Sequence, residues 1–393
     1  MSNGEEPETG RERVYPKEAS DNSVSPETAA RPLRFKRRDL RSLDKGHSFV
    51  KLLKVRAPDF DLATSLDSGQ VFHWEKSGRG FVGTIDHCAA YIEQEGSLLR
   101  VQATPTPEAG SRLQALIEHY LALDHPLAEI CASFPDDPVM NNARDFCRGL
   151  RIIRQPKWEC LATFICSSMK QVTHIRQISL ALRRRFGKPR RIAERVVYTF
   201  PAPERIAKVS ENDLRECALG YRAAYLRATA QLVDSGNADL EGWSALPDAQ
   251  LRKELCRLPG VGPKIASCVM LFAYERLRAF PIDVWMERVL RREYFSGSKK
   301  VTQAQLREFS ESYFGTHGGY AQQYLFHYAR TALRKSGALR DFSPSFRQRA
   351  VSRQRRRIRH PEGELAADWE TNRSWFRRKL SVSAGWDNVA ALS

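Results

Sequence analysis

The residues best suited to covalent chemistry lie between Leu255 and Phe295. Leu258-Pro259-Gly260-Val261-Gly262-Pro263-Lys264 reads as a glycine hairpin joining two apolar helices. Gly260 and Gly262 can take backbone angles closed to other residues and let another backbone approach closely. Pro263 suits the first turn of a helix, where its missing N–H is not needed. Exposed amides around Gly260, Val261 and Gly262, at the start of that helix, would cradle phosphate without regard to base sequence. Lys264 follows at once. A lysine there either adds one more phosphate contact or, partly desolvated, attacks carbon and forms a Schiff base. Nineteen residues later, Asp283 follows Pro281-Ile282 and would cap the next helix. Amide donors and the helix dipole would keep its carboxylate ionised, ready to stabilise positive charge developing on a sugar. A plain glycine turn and a plain helix cap are the bland alternatives.

These residues need a scaffold. Short segments between Gln70 and Val101, such as Val71-Phe72-His73-Trp74 and Phe81-Val82-Gly83-Thr84-Ile85, predict an antiparallel meander with turns near Gly78 and Gly96. From Pro107 a helix is expected, with Leu113, Leu116, Ile117, Tyr120 and Leu121 on one face. Beyond Pro126 nearly everything reads as helix to about Arg334, punctuated at Gly187-Lys188-Pro189 and Pro201-Ala202-Pro203. The domain reading is a disordered arm over 1–45, a β-rich domain over 46–124, a helical domain over 125–335 and a basic, flexible tail over 336–393.

The 393 residues carry a net charge of +17, which points to a phosphate-rich partner, nucleic acid first. Part of it sits in the tail run Arg353-Gln354-Arg355-Arg356-Arg357-Ile358-Arg359. No apolar run reaches the ~18 residues of a membrane helix, and no secretory signal is visible, so no membrane partner and an intracellular location are expected. The eight cysteines include no CxxC pair and no zinc or iron–sulfur spacing, and most would serve as small core residues.

The hairpin, Lys264 and Asp283 together resemble the helix–hairpin–helix (HhH-GPD) DNA glycosylases, and within them the 8-oxoguanine DNA glycosylase/AP lyases. Ser68-Gly69-Gln70-Val71-Phe72-His73-Trp74, Phe164-Ile165-Cys166-Ser167-Ser168, Leu219-Gly220-Tyr221-Arg222-Ala223 and Ala321-Gln322-Gln323-Tyr324-Leu325-Phe326 occur in the family's order, over about residues 55 to 335. The resemblance implies an α+β fold: an N-terminal antiparallel (TBP-like) β-sheet domain, then a mostly α-helical HhH-GPD bundle. It implies a monomeric, DNA-associated base excision repair enzyme, nuclear or nucleoid according to the cell, acting on damaged double-stranded DNA. Lys264 would attack the anomeric carbon and displace the base, and β-elimination would follow; Asp283 would stabilise the transition state. The flipped base would meet the Gly69 carbonyl, Gln322 at its Watson–Crick edge, and Phe326 and Cys268 on its faces. Gln323 leaves a one-residue ambiguity over which amide faces the pocket. Tyr221 and Arg222 would wedge into the duplex and contact the orphaned base, unless Tyr221 simply packs on Tyr225. No cofactor is implied, though hairpins of this kind can hold a monovalent cation through backbone carbonyls.

Several positions depart from the family pattern. Met169-Lys170-Gln171 stands where an Asn run is usual, and His174 replaces an Arg that reads the opposite cytosine, which puts opposite-base selectivity in doubt. A His two positions after the catalytic Asp is Trp285 here, and its later Asp partner is Ala329, so stacking can stand in for that pair at the flanking phosphate. Three alternatives compete. An endonuclease III-like enzyme for oxidised pyrimidines normally carries four C-terminal cysteines, and none follows Cys268. An alkylbase glycosylase typically lacks the lysine. A non-catalytic DNA-binding module would have no use for Asp283 or a base pocket.

Overall fold

The structure, a computed structural model, describes residues 52–333 apart from 105–110, 169, 193 and 297–300. The expected arm, the Arg353–Arg359 run and Met169 lie outside the described residues. Strand β1 (Leu53–Arg56) leads into helix α1 (Leu62–Asp67), capped by the Asp61 carboxylate on the Thr64 amide. Strands β2 (Glu75–Ser77), β3 (Gly80–Ile85), β4 (Cys88–Glu95) and β5 (Leu98–Ala103) then form the expected meander. The sheet order is β1-β5-β4-β3-β2, every neighbour antiparallel. Helix α2 (Ser111–Tyr120) covers it, burying Ile117 and Tyr120 against Val55, Trp74, Ile92 and Val101.

Val71–Trp74, expected as strand, is irregular. All four side chains are buried, so the segment has no exposed alternate face and threads between sheet and bundle. Its polar groups are satisfied by specific partners: Trp74 Nε1 donates to the Tyr120 hydroxyl at 2.9 Å and His73 Nε2 to the Thr84 carbonyl at 2.8 Å.

The bundle comprises α3 (Leu127–Ala132), α4 (Pro138–Phe146), α5 (Lys157–Ser167), α6 (Val172–Phe186), α7 (Pro203–Lys208), α8 (Glu211–Arg215), α9 (Arg222–Asp234), α10 (Asp248–Cys256), α11 (Pro263–Ala273), α12 (Val284–Val289), α13 (Gln303–Tyr313) and α14 (Gly318–Tyr328). One departure from the helical expectation is a hairpin, β6 (Pro189–Ile192) with β7 (Arg195–Tyr198), at the Gly187-Lys188-Pro189 break. Its Ile192 and Val197 pack on Val82 and Ala89 of the main sheet, which gives a two-stranded ribbon the apolar support it lacks alone. Helix α5 is buried from Glu159 to Ser167, on all sides rather than one face. Its buried Glu159 pairs with Arg183 of α6, and Arg183 also donates to Thr84 Oγ1 of the sheet at 2.8 Å. Bundle and sheet interlock in their cores as well, Phe72 joining the helical core and Ile153 the sheet core. All eight cysteines are free thiols, and Cys256 is exposed rather than buried.

Candidate active site

Helices α10 and α11 pack through Leu251, Leu255, Ile265 and Val269, and the chain between them turns at Gly260. Gly260 has φ +78°, and a Cβ there would lie 2.8 Å from Tyr225 Cβ, so no other residue fits unstrained. Gly262 differs from expectation: its backbone is extended (φ −104°, ψ −179°), open to any residue. What glycine supplies there is space, since a Cβ would meet nothing within 4 Å. Val261 is buried and its amide is already spent on the Leu258 carbonyl at 3.1 Å, so it is not a free phosphate donor. The start of α11 remains without a side-chain cap, and Pro263 occupies its first turn.

Lys264 is half-buried on that turn. Its Nζ donates to Ser167 Oγ at 3.3 Å and lies 5.3 Å from the centroid of the Phe164 ring. Ser167 Oγ in turn donates to the Phe164 carbonyl at 2.7 Å, which leaves its lone pairs to the amine. Cys268, one turn further along α11, is within hydrogen-bonding reach of Lys264; burial pushes its thiol up to about 11, so it is a neutral neighbour. Asp283 caps α12 as expected, accepting from the Trp285 and Met286 amides at 2.9 and 2.8 Å. Its carboxyl is nonetheless held above the usual carboxylate range. Loss of solvation raises it, and the Lys264 charge and the two amides only partly counter this.

Gly69 and Phe326, 257 positions apart in sequence, meet in the fold. Gly69 has φ +87°, and a Cβ on it would stand 3.0 Å from Phe326 Cε1 and 3.4 Å from Val172 Cγ2. Val172 begins α6, five positions after Ser167, the residue whose hydroxyl accepts from Lys264. The two adjacent glutamines differ in their partners. Gln323 Nε2 donates to the Ser68 carbonyl at 3.0 Å, whereas Gln322, 4% exposed, has a buried Oε1 without a partner. A buried amide oxygen left open in this way is costly unless a ligand fills it.

The residues expected at the duplex are more dispersed. Tyr221 is 55% exposed, its ring edge-on to Tyr225 at 6.0 Å. Arg222 is 5% exposed and donates to the Ser168 and Leu219 carbonyls, tethering the chain after α5, with its guanidinium 4.4 Å from the centroid of the Tyr221 ring. His174 is exposed on the first turn of α6. Trp285 is half-buried on α12 with the Arg288 guanidinium 5.7 Å from its ring centroid, and α12 packs on the turn that begins at buried Ala329. Sequence reasoning assigned no role to Ser167, Phe164, Val172 or Arg330. Ser167 and Phe164 belong to the Phe164–Ser168 motif, but nothing in their spacing relative to Lys264 announces the contact. Among the described residues no group of three or more His, Cys, Asp or Glu side chains is placed to hold a metal ion.

Residues 52–161 match the family described as 8-oxoguanine DNA glycosylase, N-terminal domain, and residues 162–312 the HhH-GPD superfamily base excision DNA repair protein family. The chain is 29% identical over 294 residues to the N-glycosylase/DNA lyase OGG1 of Arabidopsis thaliana, covering 70% of this chain and 78% of that protein. A solved structure of MBOgg1 in complex with a low-affinity DNA ligand superposes with a TM-score of 0.67 at 31% identity, over 71% of this chain and 95% of the other. The Clostridium acetobutylicum 8-oxoguanine glycosylase/lyase, solved with double-stranded DNA containing cytosine opposite 8-oxoG, gives 0.66 at 28% identity, over 71% of this chain and 97% of that one. The chain is thus a base excision DNA repair protein of the HhH-GPD superfamily, and within it belongs to the 8-oxoguanine DNA glycosylase family.

Proposed function

We propose that this protein excises 8-oxoguanine from duplex DNA with Lys264 as nucleophile and then nicks the strand as a lyase. The observation that carries the reading is a lysine amine in electrostatic contact with a capping carboxylate, in a fold that also pairs Gly69 with Phe326 and leaves the Gln322 amide oxygen open. In the unprotonated state Lys264 Nζ attacks C1′ of the flipped nucleotide. The C1′–N bond to lysine forms as the glycosidic bond breaks, and the base leaves with that electron pair and takes up a proton. Ring opening gives a Schiff base; loss of a C2′ proton then expels the 3′ oxygen. Asp283 opposes the positive charge on the sugar, a role that needs its carboxylate form, which the Trp285 and Met286 amides favour. The Gly69 carbonyl suits the lesion, because 8-oxoguanine carries a proton on N7 where guanine carries a lone pair.

Borohydride trapping on duplexes bearing 8-oxoguanine, an oxidised pyrimidine or an alkylated adenine, opposite each normal base, tests the reading. A covalent adduct with the 8-oxoguanine duplex that disappears in Lys264→Gln is the expected result. DNA binding without an adduct overturns the lyase assignment, and an adduct preferring another lesion overturns the substrate.

A further inference from the structure

Helix α14 does more than carry Gln322 and Phe326. Two of its neighbouring side chains reach across to the turn that presents Gly69 and occupy successive backbone carbonyls of it. Gln323, 2% exposed, donates from Nε2 to the Ser68 carbonyl at 3.0 Å. Arg330, on the π-helical turn that extends α14 over Ala329–Leu333, donates to the Asp67 carbonyl. The same guanidinium lies 5.9 Å from the centroid of the Phe326 ring and donates to His327 Nδ1 at 3.3 Å. From the opposite side Gln70 anchors the turn: its Nε2 donates to the Arg151 carbonyl at 2.8 Å, and its Oε1 accepts from the Ile153 amide at 2.7 Å. The turn is therefore gripped on both sides while Gly69 itself abuts Phe326.

We infer that Gln323 and Arg330 are positioning residues that fix the gap between the Gly69 turn and the Gln322–Phe326 face of α14, and through that gap select the base. The inference rests on the pocket reading above. Neither residue need touch the base. If the lesion is distinguished by one hydrogen bond to a backbone carbonyl, discrimination depends on where that carbonyl stands, because such bonds weaken steeply with distance and angle. A turn tied only through Gln70 would be fixed to the 151–153 segment but free to shift relative to a wall more than 250 positions away in sequence. Two charge- or amide-donated bonds, with the Arg330 cation over the Phe326 ring, hold turn and ring as one unit.

The test compares two reactions in the same preparations: single-turnover excision of 8-oxoguanine paired with cytosine, and borohydride trapping on a preformed abasic duplex. The second needs Lys264 but no base pocket. Arg330→Met, at a half-exposed position, keeps stem length and removes the donors; Gln323→Leu is near in volume and removes the bond. Both are expected to slow excision at least tenfold and to leave abasic-site trapping within twofold of wild type, with Arg330→Lys restoring part of the excision rate. Unchanged excision in Arg330→Met overturns the inference. So does an equal loss in both reactions, which marks general damage to the site. Failure of the wild type to trap abasic DNA would count against Lys264 alone, and the excision arm, read against melting temperature, would still decide the clamp.

Discussion

Ser167 gives the proposed nucleophile a fixed hydrogen-bond partner. Because it donates to the Phe164 carbonyl, it can only accept from Lys264, and it does so at 3.3 Å. An amine that donates one N–H to a fixed acceptor has its lone pair aimed by that bond, whereas in a variant without the hydroxyl the flexible stem would sample several directions. Ser167→Ala should therefore slow adduct formation by about five- to tenfold, the worth of one such hydrogen bond. Melting temperature should hardly move. A trapping rate equal to wild type would show that the contact is incidental. Asp283→Asn should lower turnover much more than DNA affinity, since the amide keeps the cap but not the charge; equal losses of both would mark damage to α12.

At the scale of elements, the hairpin glycines separate two effects that a sequence motif merges. Gly260 is required by its left-handed φ and by the nearness of Tyr225, so Gly260→Ala should lower the melting temperature through about 1–2 kcal/mol of backbone strain. Gly262 has extended angles and open space, so Gly262→Ala should fold normally. Its methyl would nonetheless stand at the uncapped start of α11, where phosphate is expected, and DNA affinity should fall severalfold. Filter binding at fixed salt distinguishes the two variants, and unchanged affinity in Gly262→Ala would remove the hairpin from the DNA interface. The same scale explains the irregular Val71–Trp74 segment. Its aromatic and β-branched residues predict a strand, but all four side chains are buried and its polar groups take their partners from Thr84 and Tyr120 rather than from a strand ladder.

For the molecule as a whole, acid should destabilise the fold in two windows. His327 is pushed down to about 4, first by burial and then by the Arg330 charge, so the folded state resists a proton that the unfolded chain accepts near pH 6.5. Its contribution is complete above that pH and is lost as pH falls from about 6.5 through 4. Glu275 is pulled down to about 2, mainly by its hydrogen bond with His125 and then by Arg154, so its contribution fades only below about pH 4.5. Melting temperature against pH should fall in both ranges. His327→Gln should lessen the slope of the upper one, which buried His73 shares, and leave the lower one alone; a slope between pH 6.5 and 4.5 unaltered by that change would refute the assignment.

The sequence by itself determined what depends on neighbours along the chain. Pro263, Lys264 and Asp283 announced a helix start, an amine and a cap because turn and cap chemistry is local, and the meander followed from its own alternation and turns. The family motifs marked Gly69, Gln322 and Phe326 as candidates for one pocket, and the fold brings Gly69 and Phe326 together. Only the tertiary structure decided which of two adjacent glutamines is left open, since that depends on the distant Ser68 carbonyl claiming Gln323. It also turned Arg222 inward onto the carbonyl of Ser168, and set Ser167 against the lysine. The Asp283 carboxyl shows the division within a single residue. The two amides that favour its charge were legible from the cap, but the desolvation that outweighs them comes from helices packed around it, and no local pattern encodes how much water a fold removes.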